Sequence, residues 1–133
     1  MRVSLFALLF FPASLTAAES LVEIREVDGT IQVTQDKCLL MRPVADGLAR
    51  VQSSLRLRSV KLMLRDCPGG TTVAAFLVND SGEEVGLPQV PNPKMRSSQR
   101  KRAAKQTAFL NLLMTKEGFE PDPKVAWQFE YKK

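Results

Sequence analysis

The chain has no histidine. That absence excludes the commonest general base, the serine and cysteine triads that depend on imidazole, and most catalytic zinc sites. Its only cysteines are Cys38 and Cys67, with no Cys-x-x-Cys pair to form a dithiol redox centre. The adjacent glycines Gly69 and Gly70 follow one predicted strand and precede another rather than a helix, so no phosphate-cradling loop is expected. Aromatics are sparse, with one Trp and one Tyr, and the most basic segments contain none. Single-stranded nucleic acid, which is held by stacking bases on aromatic rings, is therefore an unexpected partner. No repeat and no low-complexity tract is visible.

The remaining chemistry-bearing groups are weak candidates. Asp80, Glu83 and Glu84 surround Gly82, the pattern of a solvated turn. Ser97 and Ser98 lie near Lys94 and Lys101, but an exposed lysine at its ordinary pKa is a poor base. Met41, Met63, Met95 and Met114 are too dispersed for a copper site and suit core packing. The expectation is a protein without catalytic residues, metal or cofactor.

The longest apolar run, Val3–Phe11, follows Met1-Arg2 and leads through Pro12 to Thr16-Ala17-Ala18 before Glu19. This is the layout of a cleavable secretory signal over residues 1–18, and the run is too short and too interrupted to span a bilayer. Periplasmic or secreted location follows as an expectation, with no transmembrane segment in the mature chain. In such a compartment two lone thiols pair by default, so Cys38 and Cys67 are expected to form a disulfide. Residues 19–133 suit a single domain with one modest core.

Local patterns suggest its elements. Val22–Val27 and Thr30–Val33 flank Asp28-Gly29, which predicts an opening β-hairpin. Val44, Leu48, Val51 and Leu55 recur at helical spacing. Arg56 to Arg65 alternates as a strand, with a bulge or bend at Ser59-Val60 where the parity changes. Thr71 to Val78 is apolar on both faces and belongs in the middle of a sheet. After an extended loop marked by Pro88, Pro91 and Pro93, a second helix is predicted from about Pro93 to Glu117, capped by Asn92 and stopped by Gly118. Val125, Trp127, Phe129 and Tyr131 then alternate as a last strand with an inward aromatic face. The sum is an α+β domain: an antiparallel sheet of four or five strands packed against one or two helices, with one disulfide.

Charge is distributed unevenly. From Glu19 to Pro93 there are eight basic and ten acidic residues, and from Gln106 to Lys133 four of each. Between them, Lys94, Arg96, Arg100, Lys101, Arg102 and Lys105 form a block with no acid. On a helix these cations occupy most of the circumference, leaving the first half little apolar surface to bury, whereas Ala103, Phe109, Leu110 and Leu113 make an arc that can lie on a sheet. Cations near a helix N-terminus oppose the macrodipole, so local stability does not account for the block. Its functional reading is a contact surface for an anionic envelope component or an acidic protein. Insertion into a membrane is disfavoured because the basic half offers only Met95 as a sizeable apolar anchor. The competing expectation is a periplasmic inhibitor or immunity-type protein that blocks an exported enzyme through the loops Gly82–Pro93 or Pro68–Gly70.

Overall fold

The computed structural model describes residues 21–86, 93–125 and 127–132. The expected leader, the Asn92 cap, and Pro88 and Pro91 of the proline-marked loop lie outside the described residues. The fold is α+β. Strands β1 (Leu21–Glu23), β2 (Gln32–Val33), β3 (Leu39–Met41), β4 (Val60–Asp66), β5 (Thr72–Asn79), β6 (Phe119–Pro121) and β7 (Gln128–Tyr131) combine with helices α1 (Ile24–Val27), α2 (Arg42–Leu55) and α3 (Ser97–Lys116).

Five strands form one sheet in the order β2-β4-β5-β7-β6, while β1 and β3 make a separate antiparallel ribbon. Most pairings are antiparallel, as expected, but β2 runs parallel to β4, which makes the main sheet mixed. The apolar reading of Thr71–Val78 is borne out: β5 is the central strand, and Val73–Val78 are all buried.

Helices α2 and α3 share one face of the sheet. Val44, Leu48, Val51 and Leu55 of α2 join Leu110 and Met114 of α3, Leu62 and Leu64 of β4, Val73, Ala75 and Leu77 of β5, and Phe129 of β7 in a single buried cluster. On the opposite face Met63, Ala74, Phe76 and Val78 form a smaller cluster. Arg65 lies over the Phe76 ring with its guanidinium 4.3 Å from the centroid.

The opening hairpin is not formed. Residues 24–27 coil into α1 because that turn buries Ile24 completely, and Asp28 Oδ1 then accepts the Thr30 N–H at 2.9 Å in a local side-chain turn. Such Asx geometry competes with the two-residue hairpin that Asp-Gly otherwise favours. Strand β1 pairs with β3 instead of β2. The expected strand start at Arg56 is likewise replaced by a single 3-10 turn, Arg56–Arg58. The bend placed at Ser59-Val60 is present: Ser59 adopts the left-handed conformation at φ 60°, and β4 begins at Val60.

At the C-terminal end β7 is shorter than predicted. The Gln128 N–H donates to the Val125 carbonyl, a turn that sends Trp127 to the second face, where it stacks on Phe76 at 6.3 Å. Only Phe129 and Tyr131 of the predicted aromatic row remain on the helix side, and Tyr131 meets Phe119 edge-on at 5.2 Å. Glu130 sits between the Thr71 and Thr72 hydroxyls, which donate to its carboxylate and hold it below the usual carboxylate range against the cost of partial burial.

Cys38 and Cys67 are bonded, with Cα atoms 5.5 Å apart. The bridge fastens the start of β3, in the small ribbon, to the end of β4 in the main sheet. Closing a loop of 29 residues stabilises a fold by about 3 kcal/mol in the chain-entropy picture. Cys38→Ser with Cys67→Ser should therefore lower the unfolding free energy by about 3 kcal/mol in urea titration. A loss well under 1 kcal/mol would contradict the chain-entropy account of this bridge.

Candidate functional site

Helix α3 begins at Ser97, not near Pro93. The Arg96 backbone N–H donates to Gln99 Oε1 at 3.0 Å, satisfying one group at the helix entrance. A side-chain lock of this kind starts the first turn at Ser97, beyond Pro93, where proline's missing N–H suggests a start. Lys94 thus precedes the helix, Arg96 stands at its entrance, and Arg100, Lys101, Arg102 and Lys105 lie within its first nine residues.

All six basic side chains are exposed. The first buried residue of α3 is Ala103; Leu110 and Met114 follow, with Phe109 and Leu113 partly buried against the core. The helix therefore docks by its C-terminal half, on β6, α2 and β5, as the sequence pattern anticipates. Its first six residues bury nothing and present charge to solvent.

Five of the six cations stand outside the ion pairs of the described residues. Among the described residues the ion pairs are Arg25–Glu23, Arg42–Asp46, Arg50–Glu117, Arg56–Asp28 and Arg65–Glu84. None involves Arg96, Arg100, Lys101, Arg102 or Lys105. Arg100 donates to the Met95 carbonyl at 3.1 Å, and Lys94 is engaged within the protein. Five arginines on other elements do have acids beside them: Arg50, for one, meets Glu117 at 2.5 Å, and the shared hydrogen bond raises the guanidinium pKa further. Glu23 is held low despite partial burial, because the Cys38 N–H and Arg25 both donate to it.

Like charges crowd along the helix. Arg96 and Arg100, and Lys101 and Lys105, stand at i,i+4 spacing, where like pairs cost about 0.2–0.5 kcal/mol each. Arg96, Arg100, Lys101, Arg102 and Lys105 thus sit where they oppose both their neighbours and the helix dipole, and none of the five forms an ion pair among the described residues.

Beside the first turns of α3, an open groove of about 320 Å3 runs between the segment after β5 and the helix, lined by Glu84, Gly86, Lys94, Met95, Gln99 and Arg102. Glu84 turns to Arg65, and Glu83 Oε1 accepts from the Asn79 side-chain amide at 3.1 Å. These two members of the acidic turn are thus used in local structure.

A further cation joins the surface from another element. The Arg58 guanidinium rests 3.8 Å from the centroid of Phe109, one helical turn beyond Lys105. Arg65 is turned to the opposite sheet face and Arg56 toward Asp28, so of the strand-region arginines Arg58 alone reaches α3. Sequence patterning placed Arg58 on a strand and left open which side it faces; the 3-10 turn Arg56–Arg58 is what the periodicity does not report. No protein family and no curated protein matches the chain.

Proposed function

We propose that this is an exported, non-enzymatic accessory protein that meets an anionic envelope component or an acidic protein through the basic half of α3. The observation that carries the reading is the set of five cations, Arg96, Arg100, Lys101, Arg102 and Lys105, exposed and without acidic partners among the described residues, on a helical segment that buries nothing before Ala103. A surface that costs local stability and contributes no packing is retained for what it contacts. The disulfide and the absence, among the described residues, of a helix long and apolar enough to cross a membrane are compatible with work outside the cytoplasm.

Affinity capture from the protein's own cell envelope tests this reading. A partner recovered at low salt should be lost steeply as salt rises to physiological strength, because exposed charges are screened over about 8 Å there. Recovery of a partner indifferent to salt would contradict the reading and favour inhibition of an exported enzyme through the loops.

A further inference from the structure

We infer that the partner of this surface is an anionic lipid bilayer, with Leu57 and Leu112 entering the headgroup layer among the cations; the inference rests on the reading of α3 proposed above. At 3.6 residues per turn, Lys101, Arg102, Phe109, Leu112 and Lys116 all fall within about 60° of Lys105. Every one of them is exposed except Phe109, which is half-buried, and the arc directly across the helix carries the buried Ala103, Leu110 and Met114. One solvent face of α3 therefore combines four cations with an uncovered leucine.

The 3-10 turn extends this face. Arg58 is anchored on the Phe109 ring, and Leu57, its neighbour in the chain, is the most exposed large hydrophobic residue among those described, at 90 %. Leu112 follows at 66 %. Leu57 precedes Arg58 in the chain, and Leu112 shares its helical face with Lys105 and Lys116. A soluble polyanion offers such side chains no apolar phase, and a folded protein must supply a fitted pocket for each. A headgroup layer yields around any protruding aliphatic group while its phosphates meet the surrounding cations, and binding of this kind grows with both buried apolar area and attraction to anionic lipid. The two exposed leucines supply the apolar anchors that the basic block lacks when read on its own.

The test uses the protein purified as its own cells process it. Its partners are vesicles of phosphatidylcholine alone, vesicles of phosphatidylcholine mixed equally with phosphatidylglycerol, and soluble inorganic polyphosphate. The wild type should bind the mixed vesicles and the polyphosphate but not the neutral vesicles. Leu57→Ser with Leu112→Ser should weaken binding to mixed vesicles by about tenfold or more and leave polyphosphate binding unchanged. Lys101→Gln with Arg102→Gln and Lys105→Gln should weaken both, by about a hundredfold on vesicles. All five positions are exposed, and circular dichroism checks that each variant keeps its fold.

Two results would overturn the inference while leaving the basic-surface reading standing: the leucine variant binding mixed vesicles as the wild type does, or the wild type ignoring them while binding polyphosphate or an acidic protein. If the charge variant matches the wild type on every ligand, the underlying reading fails with it.

Discussion

Gln52→Ala is expected to lower the unfolding free energy by about 3–5 kcal/mol, one of the largest single-residue losses in the protein. Gln52 is the one polar side chain fully buried among the described residues. Its Oε1 accepts the Leu62 backbone N–H at 2.8 Å, and its Nε2 donates to the Thr30 carbonyl at 3.2 Å and to the Thr30 hydroxyl at 3.0 Å. Strand β2 pairs with β4 only at Met63 and Leu64, so beyond that register the side chain of Gln52 takes over the partner role for β4. It also ties α2 to the segment leading into β2.

The two ends of this amide are unequal. Thr30 is exposed and can be rehydrated, whereas Leu62 is fully buried and its N–H has no route to water. Alanine leaves that donor orphaned and opens a cavity as well. Gln52→Leu fills the cavity but not the hydrogen bond and should cost less, about 1–3 kcal/mol. Urea unfolding with an unchanged m-value reads both losses. A Gln52→Ala loss under 1 kcal/mol, or a leucine variant as stable as the wild type, would show that the amide is not what closes the edge of β4.

The position of Gln52 was legible in principle: it lies four residues after Leu48 on the same helical face as Val44, Val51 and Leu55. A polar residue inside an apolar stripe is a signal for a buried hydrogen bond. What sequence alone does not supply is the partner, because Leu62 and Thr30 reach it only through the parallel pairing of β2 with β4.

The same division runs through the fold. Elements whose cues are local and consistent were readable: α2 from its spacing, β5 from apolarity on both faces, the body of α3 and its end at Gly118, and the Cys38–Cys67 bridge. The errors fall where tertiary burial overrides local preference. Asp28-Gly29 favours a hairpin, yet burying Ile24 coils the preceding segment. Trp127 continues an alternating row in sequence, yet a turn at Val125 carries it to the other face. Strand β6, three residues that follow Gly118 and end on Pro121, exists because β7 offers it an edge. At the surface, composition alone revealed the basic block, since no packing enters that reading. The contribution of Arg58 depends on the 3-10 turn and on Ser59 in its left-handed conformation, neither of which periodicity reports.

The second large effect is expected on binding. Neutralising Arg100, Lys101 and Arg102 to glutamine should weaken attachment to the envelope by about a hundredfold, since each cation near an anionic surface contributes about 1 kcal/mol. Stability should move the other way. The substitutions remove the like-charge pair between Arg96 and Arg100, that between Lys101 and Lys105, and a cation close to the positive end of the helix dipole, so the variant should be as stable as the wild type or more stable by about 1 kcal/mol. Loss of binding with no loss of stability is the signature of residues held for contact rather than for folding. A variant that lost both together would instead place the block in the structural framework.

The most direct measurement of the central claim is the affinity of the wild type and of the Arg100, Lys101, Arg102 glutamine variant for isolated envelope, followed across a range of salt concentrations. The unpaired cations of α3 predict a wild-type affinity that falls steeply with salt and a variant affinity that is low and nearly flat, the two converging once screening is complete. Parallel curves of equal affinity would contradict the claim, because the exposed charge of α3 would then be meeting nothing.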